Sequence, residues 1–269
     1  MRTGVLGPVG SFSHAAAMRT RPDGTLVFFE TISDVFEAVE RGEVDEGIVP
    51  MENSLEGSVG ETLDCLLSHR VYMVGEYVLE VRHNLLSLAP TLEDVRTVLS
   101  HPQALAQCRG FLRRLGGVKV VATSSTSEAA RMAALDPSAA AIASVEAAAH
   151  YGLKVLMSDI QDDESHTRFV SIAKKPLREV HGPAKTSIAL FLKRDRPGAL
   201  YEILGEFAKR SINLTRIESR TRRRALGEYY FFIDLEGQLG DCRVRDALSA
   251  IAECTDVMHV LGSYPAFRA

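Results

Sequence analysis

A hydroxyl next to a guanidinium suits an anionic substrate that must lose an oxygen. The chain carries such a pair in Glu164-Ser165-His166-Thr167-Arg168-Phe169. Thr167 can donate a proton to a departing hydroxyl. Arg168 can hold a carboxylate through two parallel hydrogen bonds, or it can brace a carboxylate of the protein itself. A second polar set, Glu52-Asn53-Ser54, follows Val49-Pro50-Met51 at the carboxyl end of a strand. There Glu52 can act as an acid or orient Asn53, and Asn53 can donate to a carboxylate or hydroxyl; an Asx turn is the alternative. In Ser100-His101-Pro102-Gln103-Ala104-Leu105-Ala106-Gln107 the proline suits a first helical position, and Gln103 and Gln107 share a face. Those amides either grip a carboxylate or stand in solvent on a helix capped by Ser100 or His101. Gly7-Pro8-Val9-Gly10-Ser11-Phe12-Ser13 joins a strand to a helix. It is either an anion cradle of backbone N–H groups or a plain turn capped by Ser11, and its spacing is not that of a dinucleotide site. Ser125-Thr126-Ser127-Glu128 fits a capping box with Glu128 reaching back, and leaves the Thr126 hydroxyl available to a cleft.

These pieces need elements to hold them. Short apolar runs at 5–6, 26–29 and 47–49 read as strands, and 35–39 and 59–67 read as helices. Residues 72–88 are β-rich and are expected to cross between two lobes. The alternation then resumes with strands at 98–99, 118–122 and 140–143, and helices at 102–115, 125–135 and 145–151. A strand at 167–172 returns to the first lobe. The pattern predicts an α/β unit over 1–180, with one lobe from about 1–78 plus 160–180 and the other from about 79–159. Ligands of such sheets gather at the carboxyl ends of strands, so the cleft between the lobes is the expected site. Residues 174–183 are polar, with two prolines and a glycine, and read as a linker. Over 185–265 the order is strand (187–192), helix (199–210), strand (214–219), strand (229–235), helix (244–254), strand (257–262), the ferredoxin-like βαββαβ unit. Its exposed sheet edges favour pairing with a second copy.

The 269 residues are 46% hydrophobic and 25% charged, a balance that supports a core needing neither metal nor disulfide. A net charge of -4 argues against a general nucleic-acid binder, and the basic run from Arg220 to Arg224 reads as a solvated face. Cys65, Cys108, Cys242 and Cys254 are scattered without metal-ligand spacing. No basic-then-apolar leader precedes the first strand and no apolar run is long enough to span a bilayer. A reducing, cytoplasmic enzyme without metal or cofactor and without a membrane partner is the expectation.

The ordered set of motifs at 7–13, 49–54, 100–105, 125–126, 141–144, 151–153 and 167–169 resembles the prephenate dehydratase family over nearly the whole chain. The last 80 or so residues are similar to the ACT regulatory module through Gly198-Ala199-Leu200 and Glu218-Ser219-Arg220. Met51 stands where isoleucine is usual, Ser11 and Ser13 where threonines are common, Ser165 where asparagine is frequent, and Thr221 where proline closes the second ACT motif. The resemblance implies a two-lobed, periplasmic-binding-protein-like catalytic unit that converts prephenate to phenylpyruvate with loss of water and carbon dioxide. It implies Thr167, Glu52 and Asn53 as catalytic residues. Ser11, Ser13, Ser54, Ser100, Gln107, Ser125, Thr126, Arg168 and Phe169 are then the substrate-binding set. It further implies phenylalanine as feedback inhibitor, held by Gly198, Ala199, Leu200, Asn213, Leu214, Glu218, Ser219 and Arg220 where two ACT units of a homodimer or homotetramer meet. Arogenate dehydratase and a non-catalytic amino-acid sensor are the competing readings. No fused chorismate mutase is expected ahead of Arg2, and no nicotinamide domain.

Overall fold

The computed structural model describes residues 1–193, 196–221 and 229–267, so residues 222–224 of the basic run lie outside the described residues. The first lobe holds β1 (Arg2–Leu6), α1 (Phe12–Thr20), β2 (Thr25–Phe29), α2 (Ile32–Arg41), β3 (Glu46–Asn53), β4 (Gly57–Ser58), α3 (Gly60–Ser68) and β5 (Tyr72–Val81). The chain then enters the second lobe with β6 (Asn84–Ser87), β7 (Thr97–Ser100), α4 (Pro102–Gln107), α5 (Arg109–Leu115), β8 (Lys119–Ala122), α6 (Thr126–Ala133), β9 (Ala139–Ala143), α7 (Val145–Tyr151) and β10 (Lys154–Met157). It returns to the first lobe as β11 (Ser165–Ala173).

Both lobes follow one plan. The first sheet runs β2-β1-β3-β11-β5 and the second β8-β7-β9-β6-β10. In each, three parallel strands are followed by two antiparallel ones. The crossings join the antiparallel strands, so the parallel strands of both lobes are free to aim loops at a common cleft. Gly10 serves that approach. It adopts φ 85°, and a Cβ there would lie 3.0 Å from the Ala147 Cα on α7.

The third unit contains β12 (Ala184–Leu192), α8 (Ala199–Ala208), β13 (Leu214–Thr221), β14 (Tyr229–Glu236), α9 (Cys242–Cys254) and β15 (Thr255–Pro265), in the sheet order β13-β14-β12-β15. One sheet face covers α8 and α9 through Ile188, Leu190, Ile203, Phe207, Ile233, Val244 and Ile251. The other face shares a core with the first lobe, where Ala189, Phe232, Leu261 and Tyr264 pack with Phe36, Met51, Leu63 and Met73. The contact is close enough that a Cβ on Gly262 would clash with the Met73 carbonyl oxygen.

Three differences from the sequence expectations matter. The helix expected over 102–115 breaks at Cys108, whose φ of -114° and ψ of 23° end one helix and begin the next. β10 is a strand beyond those the sequence pattern predicts. β3 continues through Pro50 to Asn53, because its pairing with β1 ends at Ile48 and the missing proline N–H costs no bond on that side.

Candidate active site between the lobes

A cavity of about 480 Å³ lies between the lobes. Three helix starts open onto it. Ser11 caps α1 by accepting from the His14 N–H at 3.2 Å, Ser125 caps α6 by accepting from the Glu128 N–H at 3.0 Å, and His101 caps α4. Such helix starts present unpaired backbone N–H groups and partial positive charge to an anion. Pro50, Asn53, Thr167 and Phe169 line it from the first lobe, and Gln103 and Gln107 line it from α4. Among the described residues lining the cavity there is no arginine or lysine.

Asn53 is fixed at both ends of its amide. Its Oδ1 accepts the backbone N–H groups of Leu55 at 2.9 Å and Glu56 at 3.2 Å. Its Nδ2 therefore faces β11, where it donates to the Thr167 Oγ1 at 2.9 Å and the Ser165 Oγ at 3.1 Å. A hydroxyl that accepts at its oxygen keeps its hydrogen for another partner. Among the described residues no protein acceptor takes the Thr167 hydrogen.

Of the residues singled out from the sequence, Ser11, Ser13, Asn53, Gln107, Ser125, Thr126, Thr167 and Phe169 line this cavity. Glu52, Ser54, Ser100 and Arg168 do not. Side chains alternate along a strand, so the neighbours of Asn53 and Thr167 are turned to the opposite face. Glu52 and Arg168 are register partners there, 3.2 Å apart. The register also steps opposite Arg168 and Phe169, leaving Met51 as an extra residue in β3. That step lets Pro50 and Asn53, three apart, both face the cavity. Ser100 is buried and donates to the Ile142 carbonyl at 2.6 Å. Ser54 accepts the His166 N–H at 3.0 Å and closes the end of the β3–β11 ladder. Glu128 does not reach back to Ser125; it pairs with Arg131 at 2.7 Å.

The family model for prephenate dehydratase matches residues 3–177 and that for the ACT domain residues 186–253. The chain belongs to the prephenate dehydratase family. It is 41% identical to the prephenate dehydratase of Methanocaldococcus jannaschii, over 97% of this chain and 96% of that one. It is 42% identical to arogenate dehydratase/prephenate dehydratase 2 of Arabidopsis thaliana, over 98% and 73%. The crystal structure of prephenate dehydratase from Arthrobacter aurescens in complex with L-Phe superposes with a TM-score of 0.91 at 36% identity, covering 99% of this chain and 90% of that one. GqqA, described as a novel type of quorum-quenching acylase, also superposes at 0.91, with 30% identity over 99% and 98%.

On the far side of β3 and β11 lies a charged seam against the ACT sheet. Arg168 is buried and pairs with Glu76 at 2.7 Å and Asp234 at 2.6 Å, and it donates to the Tyr264 hydroxyl at 2.9 Å. Burial works against its charge, but the Tyr264, Asp234 and Glu76 oxygens more than offset that and hold the guanidinium protonated. Burial first, then the Asp234 charge, pushes the Tyr264 phenol upward. From β13, Arg216 pairs with Glu52 at 3.1 Å and donates to the Ser58 Oγ at 2.8 Å. Glu218 also bonds Ser58, which lines the cavity. Arg220 holds Asp64 of α3 in a two-pronged pair at 2.7 and 2.9 Å. Two residues expected to meet the effector thus have their side chains on the catalytic unit, whereas Gly198, Asn213 and Ser219 are exposed.

Sequence reasoning missed His83, which lines the cavity, and Ser58. Neither carries a motif signal: one is a lone histidine in a β-rich stretch, the other a serine beyond the polar triplet. Among the described residues no cluster of His, Cys, Asp and Glu can hold a metal ion, and no helix is long and apolar enough to cross a membrane.

Proposed function

We propose that the cavity between the lobes is where prephenate loses its ring hydroxyl and ring carboxylate, with Thr167 as the proton donor. The carboxylate carbon leaves as carbon dioxide and its bonding electrons enter the ring. The ring carbon–oxygen bond breaks with its electrons on oxygen, and the Thr167 proton completes water. A proton from solvent restores the threonine, so the reaction consumes one proton overall. The observation that carries this reading is the Asn53 amide donating to the Thr167 oxygen, with the hydroxyl hydrogen left without a protein acceptor. That N–H stabilises the charge that builds on Oγ1 as the proton departs. General acid help of this kind is worth ~10²–10⁴-fold.

The dianion is held by neutral donors: the start of α1, which Ser11 caps while donating its own hydroxyl to the Leu6 carbonyl, the start of α6, Gln107, and the hydroxyls of Ser13, Ser125 and Thr126. Residues 1–180 act as the catalytic unit and 185–265 as the regulatory one. Phenylalanine binds the regulatory unit around Gly198, Ala199, Leu200, Asn213 and Leu214, with Glu218, Ser219 and Arg220 on the same strand, in a homodimer or homotetramer. The relative solved with L-Phe supports that effector, and four free cysteines support a reducing, cytoplasmic setting.

The test is formation of phenylpyruvate from prephenate by the purified chain, with arogenate in parallel. Turnover of prephenate that collapses in Thr167→Ala is the expected result. No turnover of prephenate overturns the reading, and a higher kcat/KM on arogenate moves the chain to the related activity.

A further inference from the structure

The segment between β5 and β6 places one imidazole at the cavity. His83 is 2% exposed, and its ring packs edge-on against Phe12 with centroids 5.5 Å apart. Both crossings hold it: its N–H donates to the Gln161 Oε1 at 2.9 Å and its carbonyl accepts from the Ile160 N–H at 2.9 Å. The ring Nε2 lies 2.8 Å from the Gln107 Oε1, while Nδ1 is buried without a hydrogen-bond partner. A buried polar atom left unpaired costs stability, and one beside a reaction cavity calls for a functional reason.

We infer that His83 is a positioning residue, held as the neutral tautomer protonated at Nε2, whose N–H fixes the Gln107 oxygen and thereby turns the Gln107 amide hydrogens to the substrate. Resting on the prephenate reading, this names what orients one of its anion donors. A free glutamine amide offers an anion its oxygen as readily as its nitrogen. With the oxygen tied to His83, only the donor end remains. Among the described residues no protein acceptor takes the Gln107 amide hydrogens, so they are available to a carboxylate or to the leaving oxygen. The unpaired Nδ1 follows from the same choice, because the single ring proton sits on Nε2. Burial keeps the ring neutral by lowering its proton affinity, and the bond to Gln107 opposes that less strongly. The opposite tautomer would accept from a reversed Gln107 and aim the amide oxygen at the dianion.

The proposal is tested on the full chain with prephenate. A glutamine side chain carries its amide nitrogen at the reach of Nε2, whereas an asparagine reaches only as far as Nδ1. His83→Phe and His83→Asn are therefore expected to lower kcat/KM by about 10- to 100-fold, and His83→Gln to recover most of that loss. In a Gln107→Ala background, His83→Phe is expected to add less than about threefold, because the group it positions is already gone. A recovery by asparagine rather than glutamine, or full additivity with Gln107→Ala, overturns the inference. Nitrogen-15 spectra of the histidines of the unsubstituted chain read the tautomer directly, so a variant that fails to fold leaves the question answerable. A neutral ring protonated at Nε2 supports the proposal; a ring protonated at Nδ1, or at both nitrogens at neutral pH, sinks it. Absence of turnover in the unsubstituted chain would count against the function, while the spectra would still decide the tautomer.

Discussion

The cleft between the lobes and the seam beneath the ACT sheet are built from opposite faces of the same two strands. On the cleft face stand Asn53 and Thr167; one residue away, on the seam face, stand Glu52 and Arg168. The cleft has no arginine or lysine among its described lining residues to meet the dianion proposed for it, whereas the seam gathers Arg168, Arg216, Lys185, Glu52, Glu76 and Asp234. The difference shows where formal charge is useful. A cation in the cleft would hold carboxylates equally in substrate and transition state, which tightens binding without speeding the chemistry. One of those carboxylates also has to leave as neutral carbon dioxide. Oriented dipoles bind an anion while needing little reorganisation as its charge moves. In the seam, fixed charges give the two domains one register.

The largest effect belongs to the cleft face. Thr167→Ala is expected to lower kcat by ~10²–10⁴-fold with folding stability nearly unchanged. Thr167→Ser, which keeps a hydroxyl for Asn53 to donate to, should retain partial activity. Steady-state formation of phenylpyruvate together with a urea melt measures both. A Thr167→Ala variant with normal kcat would break the comparison at its centre.

Arg168→Met probes the other face. It leaves Glu76 and Asp234 without their shared cation, a loss of about 3–5 kcal/mol in unfolding free energy. The melt should show that loss, with KM for prephenate nearly unchanged in whatever fraction remains folded. A large rise in KM at undiminished stability would mean that the guanidinium serves the substrate after all, and the two faces would exchange roles.

The contrast was only half legible in the sequence. Thr167, Asn53 and Gln107 could be found because hydroxyl and amide types recur at the ends of predicted strands and helix starts. Their neighbours Glu52 and Arg168 were drawn into the same site because a contiguous motif records residue types but not faces. Pro50 made β3 look finished, and with the strand ended the alternation that turns Glu52 away could not be applied. The extra residue at Met51 is a register feature, set by pairing with a strand more than a hundred positions later. The lobes and the ferredoxin-like unit followed from hydrophobic periodicity, which is local. The helix break at Cys108 and β10 were not visible, since a run from Pro102 to Leu115 is helix-compatible throughout and β10 is a short edge strand. Nothing in the spacing marked His83, whose role depends on two crossings meeting.

A third test uses pH. The proton affinities of His83 and His14 are lowered in the folded chain, by burial above all. The unfolded chain therefore takes up protons on these rings before the folded one does. Stability from this source is present above about pH 6.5, the ordinary histidine value. It declines as pH falls below that toward the folded values, by at most about 1.4 kcal/mol per pH unit for each ring. Urea melts between pH 7.5 and 5 should show the decline, and His83→Gln should flatten it. A stability that rises on acidification in that window, and flattens in His83→Gln, would mean that this ring binds its proton more tightly in the folded chain than in the unfolded one.

The smallest effect asks whether the seam does more than hold. Arg220 grips Asp64 on α3, and the segment just before that helix, Gly57 to Val59, forms part of the cavity wall. An effector that draws on Glu218 or Arg220 must compete with these bonds, and the competition reaches the cavity through that segment. Asp64→Ala removes the carboxylate without touching the cavity lining. It is expected to leave kcat and KM for prephenate nearly unchanged and, with the competing carboxylate gone, to lower the phenylalanine concentration for half-inhibition by about fivefold, the low end of ordinary coupling between sites. Inhibition curves with and without the substitution decide it. Unaltered sensitivity would reduce the Arg220 contact to a structural clamp and place the coupling elsewhere along β13, with Glu218 and Ser58 the next pair to separate.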